Sequence, residues 1–265
     1  MKLGIATASF FNRVQTENSF DLLRQLRVDT TEVFLNTYSE YEKSFVDALV
    51  PLRGSIRVHS VHCIGTQFEP QLFNVNARVR ADAEALFRKV CYAGYVLGAK
   101  YYTFHGPARY KKTDNDFDYA KLGNRINQLI EIAQSCGMNL SYENVHWTYA
   151  SFPDFFKQLL KICPRLYTTL DVKQAVLAGH DPLKFLDAME GHISTVHLCD
   201  VDKHGNTTLP GQGRINFERI FRELDHVNLN VAALIEAYSN DYADISELRA
   251  SLDYLEKLWE SVKSR

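Results

Sequence analysis

The sequence lacks the features that mark membrane-spanning and disulfide-stabilised proteins. No segment approaches the run of about 18 apolar residues that a membrane span needs. The five cysteines are widely spaced and contain no Cys-x-x-Cys pair, which favours reduced thiols. The opening residues, MKLGIATASFFNR, predict a first strand and not a signal peptide. We therefore expect a cytoplasmic protein with no membrane partner.

The sequence also lacks a strong net charge, an interdomain linker and a glycine-rich dinucleotide-binding motif. The formal net charge is −2, which does not indicate a nucleic-acid-binding protein. No linker rich in proline, glycine or serine divides the 265 residues, so we expect one domain over 1–265. The segment that spans the end of the first predicted strand reads LGIATASFF and contains no Gly-x-Gly-x-x-Gly motif, which argues against a dinucleotide-binding fold.

What the chain does contain is a regular alternation of strand-like and helix-like segments. Eight such pairs follow one another without a break, which predicts right-handed crossovers and a parallel sheet. A length near about 250 residues is usual for a (β/α)8 TIM barrel, the fold that we predict in the α/β class. An open doubly wound sheet is the alternative. The predicted strands are KLGIATA, TTEVFLN, SIRVHSVHC, KYYTFHGP, NLSYENV, LYTTLDV, ISTVHLCD and VAALIEA.

Four polar side chains stand near the ends of the last four predicted strands. They are Glu143, Asp171, His197 and Glu236, separated by 28, 26 and 39 positions. One strand–helix unit of a barrel takes roughly 31 residues, and all strand ends converge on one face. An oxygen-rich set of this kind suits Mn²⁺, Co²⁺, Mg²⁺ or Zn²⁺. The spacing therefore predicts a site for one divalent metal ion.

Six short segments resemble a known family. In chain order they are VHSVHC, FHGP, YENV, LDVKQAVLAGHDP, VHLCD with PGQG, and LIEAY. They are similar to the xylose isomerase-like TIM barrels, which include sugar and sugar-phosphate isomerases and epimerases, inosose dehydratases and endonuclease IV enzymes. In the branch that resembles D-tagatose 3-epimerase, one metal is bound by Glu, Asp, His and Glu. These positions match Glu143, Asp171, His197 and Glu236, and the resemblance makes the two glutamates the acid/base pair.

Several positions depart from the patterns of other branches. Gln174 stands where the family commonly has a histidine, and Gly205 and Thr207 replace the Asp-x-His that endonuclease IV relatives use for a third metal. These losses argue against DNA-repair chemistry. His62 and His105 are retained. The sequence therefore leaves open whether they bind a second metal ion together with Glu143.

The resemblance implies proton transfer next to a sugar carbonyl. The carboxylates of Glu143 and Glu236 lie on different predicted strands and can approach a substrate from different sides. Return of the proton to the opposite face gives an epimer, and its return to the adjacent carbon gives an isomer. Val145 replaces the lysine that hydride-shift xylose isomerases need, which favours an enediolate. The first alternative from another class is an inosose-type dehydratase using the same metal site, and the second is an endonuclease IV-like metallo-nuclease.

Further polar residues are predicted to bind the substrate, which we expect to be a small sugar or sugar phosphate. His62, His105 and Gln174 would contact hydroxyl groups. Lys203 lies near the position of a substrate-binding arginine in the epimerase branch, so Lys203 or Arg214 would meet a hydroxyl or a phosphate. His59 lies three positions before His62, so alternation predicts that at most one of them faces the site. The PGQG turn fits either phosphate binding or a plain turn, and homo-oligomer formation is left open.

Overall fold

Eight parallel strands form a barrel in the computed structural model, which describes residues 1–109, 118–227 and 231–264. A short antiparallel pair, β8 with β9, follows the seventh barrel strand, so that the eighth is β10. In chain order the described strands are β1 (Lys2–Ile5), β2 (Thr30–Leu35), β3 (Arg57–Cys63), β4 (Tyr101–Phe104), β5 (Asn139–Glu143), β6 (Tyr167–Asp171), β7 (Ile193–Leu198), β8 (Asp200–Val201), β9 (Thr207–Thr208) and β10 (Ala232–Ile235).

The strand order β1-β10-β7-β6-β5-β4-β3-β2 has β1 and β2 at its two ends, and these ends contact each other to close the barrel. At this seam the Thr31 hydroxyl donates to the Ile5 carbonyl at 2.6 Å. Gly4 is required here, because a Cβ atom at this position would lie 2.1 Å from the Thr30 carbonyl oxygen. The predicted TIM barrel is confirmed, and the alternative of an open doubly wound sheet is wrong.

Helices surround the barrel, and apolar residues fill the space between helices and strands. The long α3 begins after Asn76, whose side chain accepts from the Arg78 amide, and it ends at Gly98 in a left-handed conformation. Among the described helices, none is both long and apolar enough to cross a membrane. They are α1 (Ser19–Gln25), α2 (Lys43–Arg53), α3 (Ala77–Leu97), α4 (Tyr119–Ser135), α5 (Pro153–Ile162), α6 (Val172–Leu177), α7 (Pro182–Ala188), α8 (Phe217–His226) and α9 (Ile245–Lys263).

The inside of the barrel is polar below the strand ends. The Ser141 hydroxyl lies 2.7 Å from Thr169 Oγ1 and 2.8 Å from Ser194 Oγ, so these buried hydroxyls satisfy one another. The strand registers shift next to His59 in β3 and next to Ser194 in β7. His59 Nε2 reaches the Ser194 carbonyl at 3.0 Å, which joins two opposite strands across the barrel. This polar layer forms the floor beneath the candidate site.

Candidate metal centre

The four residues predicted to bind a metal converge at the carboxyl ends of neighbouring strands. Glu143 and Asp171 are the last residues of β5 and β6, His197 lies one residue before the end of β7, and Glu236 directly follows β10. One potential ligand atom from each residue lies within 4.8 Å of the others. Glu143, Asp171 and His197 are buried, whereas Glu236 is partly exposed. The structure thus brings together all four residues.

The ring of His197 is oriented by acidic groups on both of its nitrogen atoms. Nδ1 lies 3.3 Å from Glu143 Oε1 and 3.4 Å from Glu236 Oε2. On the opposite side, Nε2 lies 3.1 Å from Glu32 Oε1. A histidine that binds a metal through one nitrogen commonly presents its other N–H to a carboxylate, which fixes the ring orientation. The ring therefore presents Nδ1 to the candidate metal cluster.

Glu32, a buried residue in the middle of β2, also belongs to the site, although the sequence pattern predicts no role for it. Its Oε2 atom accepts hydrogen bonds from Ser60 Oγ at 2.7 Å and Thr103 Oγ1 at 2.5 Å. Burial alone would raise the pKa of this carboxyl group, but the charge and hydrogen bonding of His197 outweigh burial and lower the pKa to about 2. The signal in the sequence was a glutamate in the middle of a strand, TTEVFL, where an unpaired charge is costly to bury.

His62 and His105 stand beside Glu143 on the other side of the cluster. His105 Nε2 lies 2.9 Å and His62 Nε2 lies 3.9 Å from Glu143 Oε2. These three residues form a second group that could hold an ion, with Glu143 shared between the two groups. Burial opposes the charged form of His105, but Glu143 and Glu69 outweigh burial and raise the pKa of His105 to about 9. Glu69 Oε2 also accepts from the His105 amide at 2.9 Å.

Lys173 is the cluster residue that sequence reasoning missed. Its ammonium group lies 2.7 Å from Asp171 Oδ2 and 2.6 Å from Glu236 Oε2. Burial would lower the pKa of Lys173, but Asp171 and Glu236 hold it well above the usual lysine range. Asp171 caps α6 by accepting from the Gln174 amide at 2.8 Å, which places Lys173 in the first turn, over the cluster. The available signal was a lysine two positions after the strand-six aspartate.

A cavity of about 310 Å³ opens above these residues. Gln174 lies in its wall, where Oε1 accepts from the His146 amide at 3.1 Å and lies 2.5 Å from the His146 ring nitrogen. Apolar walls with a few convergent polar groups are typical of small-molecule sites. The aromatic wall residues are Phe11, Phe34, Trp147 and Tyr238, and the polar ones include His62, His105, Glu143, Lys173, Gln174 and Glu236.

The two cationic residues predicted to bind substrate lie elsewhere. Lys203 and Arg214 are exposed, and neither is among the described residues that line the cavity. The glycine-rich turn between them is occupied by a side chain of the protein itself. The amides of Gly211 and Gly213 donate to Asp200 Oδ2 at 3.1 Å and 3.0 Å. These amides therefore hold a carboxylate that comes from the same chain.

The donor set fits a divalent cation. Three carboxylates and one imidazole nitrogen suit Mn²⁺, Co²⁺, Mg²⁺ or Zn²⁺ better than a soft metal that prefers sulfur. The ligands come from adjacent strands, and Glu32 fixes the ring of His197 from behind. Together, the chemistry and placement of these side chains match those of a site for one such ion.

A family model described as xylose isomerase-like TIM barrel matches residues 20–258 of the sequence. The chain belongs to this family. Among curated members, the inosose dehydratase of Clostridium beijerinckii is 27% identical over 143 residues, which cover 46% of this chain and 48% of that protein. The chain thus spans about half the length of the curated relatives that it matches.

Solved structures of similar fold superpose on almost the whole chain. A D-tagatose 3-epimerase-like protein gives a TM-score of 0.82 at 19% identity and covers 100% of this chain and 99% of its own. An IolI protein solved with a bound zinc atom gives a TM-score of 0.77 at 16% identity, with coverages of 99% and 98%. At these identities the similarity establishes the common fold.

Proposed function

We propose that the protein is a metal-dependent sugar isomerase or epimerase that works by proton transfer through an enediolate. The observation that carries this proposal is the placement of Glu143 and Glu236 around one cavity, with His197 Nδ1 3.3 Å and 3.4 Å from their carboxylate oxygens. The names of the similar proteins, which include an epimerase-like protein and inosose dehydratases, agree with chemistry next to a sugar carbonyl.

In this proposal the two glutamates exchange roles with the direction of reaction. Burial would raise the pKa of Glu143, but His105 and His197 outweigh burial and hold it well below the usual range. The pKa of Glu236 is also lowered, by His197 and Lys173, against the effect of burial. Both groups are therefore carboxylates at neutral pH. One can accept the proton next to the carbonyl, and the other, after taking up a proton from solvent water, supplies it from the opposite side.

The remaining groups would bind and orient the substrate. A divalent cation on Glu143, Asp171, His197 and Glu236 would supply Lewis-acid stabilisation of the enediolate oxygens. His62, His105 and Gln174 present nitrogen and amide groups to the cavity and would contact substrate hydroxyls. The aromatic walls would cover the C–H surfaces of the substrate and exclude water.

We propose an uncharged sugar or polyhydroxy ketone as the substrate, in preference to a sugar phosphate. Lys173 is the one lysine or arginine among the described cavity residues, and two carboxylates already bind it. The exposed Lys203 and Arg214 lie outside this lining. Asp200 Oδ2 already accepts the amides of Gly211 and Gly213, so these amides are not available to a phosphate.

A dehydratase is the second candidate, because the curated relatives are inosose dehydratases. The first step would be the same proton abstraction next to a ketone. The β-hydroxyl group would then leave as water after accepting a proton, which His105 would donate. In the metal-free protein, burial disfavours the charged ring of His105, but Glu143 and Glu69 raise its pKa to about 9, which favours the protonated form.

The test is product analysis with the metal-loaded protein. Ketohexoses, pentuloses and an inosose would be incubated with the Mn²⁺, Co²⁺, Mg²⁺ or Zn²⁺ form, and the products identified by NMR. Glu143→Gln and Glu236→Gln should each lower turnover by at least about 100-fold, in line with the loss of general acid–base catalysis, whereas the exposed Glu190→Gln should be unchanged. A new epimer or isomer would support the proposal, and a dehydrated product would support the lyase. Cleavage of an abasic DNA duplex without sugar turnover would contradict both.

A further inference from the structure

Lys173 places a positive charge among the four candidate metal ligands. Its Nζ atom lies 2.7 Å from Asp171 Oδ2 and 2.6 Å from Glu236 Oε2, and its side chain is only 1% exposed. The same two oxygen atoms also face the imidazole of His197, at 3.9 Å and 3.4 Å from Nδ1. The ammonium group therefore binds oxygen atoms that belong to the metal cluster.

Only one carboxylate oxygen of Asp171 is available to bind either the Lys173 ammonium or a metal ion. Its Oδ1 atom accepts the Gln174 amide and caps α6, so Oδ2 is the atom that faces the cluster. The same cap holds the backbone of Lys173 close to the ligands. At the edge of the cavity, the ring of Tyr238 lies 5.5 Å from Nζ and offers the ammonium group a third partner.

A buried ammonium group has opposite effects on the metal-free and the metal-bound protein. Without a metal, it offsets the repulsion between carboxylates whose ligand atoms lie within 4.8 Å of one another. With a metal, it stands close to a second cation in a medium that screens charge poorly. Stability without the metal and affinity for the metal should therefore depend on this residue in opposite directions.

We propose that the Lys173 ammonium is the resident cation of the cluster and competes with a divalent ion for Asp171 Oδ2 and Glu236 Oε2. The residue keeps the ligands in place before metal binding and sets how readily the ion is released. The proposal rests on the metal site of the proposed function. A wild-type protein and Lys173 variants that bind no divalent ion would remove that site, whereas a normal site insensitive to Lys173 would remove only this role.

The test compares metal-free wild-type protein with Lys173→Met and with a matched control, Lys157→Met, on an exposed position of α5. Titration calorimetry with ZnCl₂ and with MnCl₂ should give at least a tenfold lower Kd for Lys173→Met. Its Tm without metal should fall by several degrees, and saturating metal should raise its Tm more than that of the wild type. The Lys157→Met protein should match the wild type in each measurement.

A second measurement covers the case in which Lys173→Met does not fold. The ammonium signal of Lys173 would be followed by ¹⁵N NMR in the wild-type protein and assigned by its loss in Lys173→Arg, which keeps the positive charge. Saturation with Zn²⁺ should move or remove this signal while other lysine signals stay in place. An unchanged signal at full zinc occupancy, or a Lys173→Met protein that binds metal equally well or more weakly, would overturn the competition.

Discussion

Replacement of Glu32 by glutamine tests whether a residue remote from the substrate controls the metal centre. Glu32 Oε1 faces His197 Nε2 at 3.1 Å, while Ser60 and Thr103 donate to Oε2. Glutamine keeps the shape of the side chain but removes its charge. It also brings an NH₂ group that cannot accept a hydrogen bond, so the charge contact with His197 is lost, and a side chain that turns this group towards Ser60 and Thr103 leaves the two hydroxyls without their acceptor.

Two effects of different size follow from these contacts. Loss of the carboxylate behind a metal-binding histidine typically costs about 10- to 100-fold in metal affinity, or about 1.4–2.8 kcal/mol. In the metal-free protein, the pKa of Glu32 falls from 4.5 to about 2, which corresponds to an upper value of about 3 kcal/mol of stability. A depressed carboxyl pKa stabilises the fold above the unfolded value, and this contribution is lost as the pH falls towards 2.

The Glu32→Gln protein should therefore unfold about 1–3 kcal/mol more easily at pH 7 in urea, with a smaller difference at pH 3. Its Kd for Zn²⁺, measured by competition with a fluorescent chelator, should rise by about 10- to 100-fold. Glu190→Gln, on an exposed position, is the matched control and should behave like the wild type. Wild-type zinc affinity and wild-type stability in Glu32→Gln would refute the assigned role of this carboxylate.

Three further predictions concern the barrel seam, the glycine-rich turn and the thiols. Gly4→Ala should lower stability by about 1–3 kcal/mol in chemical denaturation, because its Cβ would lie 2.1 Å from the Thr30 carbonyl oxygen. Asp200→Ala should speed hydrogen exchange of the turn after β9, since the turn amides lose their acceptor. A hydrogen bond from Cys91 lowers the pKa of Cys136 to about 6, so its alkylation by iodoacetamide should decline below pH 6, and Cys91→Ala should move this midpoint upward. Unchanged stability, exchange or midpoint would contradict the respective prediction.

The ligands of the candidate centre could be predicted because each stands at a strand end. Glu143, Asp171, His197 and Glu236 follow β-rich segments at barrel spacing, and the parallel strands bring those ends together. The eight-stranded barrel itself followed from the alternation of elements. Both predictions depend on periodicity and on chain order, which the sequence displays directly.

The groups around the ligands depend on contacts that periodicity does not encode. Glu32 contacts His197 inside the barrel. Lys173 lies over the cluster because α6, capped by Asp171, begins directly after β6. The register shifts beside His59 and Ser194 break the simple alternation of strand faces. As a result His59 lies inside the barrel floor, where its hydrogen bond to β7 keeps it below the cavity.

Three of the five residues predicted to contact the substrate line the cavity, and two do not. His62, His105 and Gln174 lie on or just after strand ends, and the structure places them in the cavity wall. Lys203 and Arg214 are not among the described residues of the cavity wall. The pairing of β8 with β9 and the hydrogen bonds from the glycine amides to Asp200 determine the conformation of the segment that carries them. Their predicted roles at a hydroxyl or phosphate group stay predictions.

The central claim, proton transfer by the glutamate pair, is tested most directly by turnover in D₂O. The metal-loaded protein would be incubated with the substrate found in the product screen, and the product would be analysed by NMR and mass spectrometry. The account predicts deuterium at the carbon that changes, and no exchange in the Glu143→Gln, Glu236→Gln double variant. A product formed at full rate without solvent deuterium would indicate direct hydrogen transfer and would contradict the enediolate mechanism.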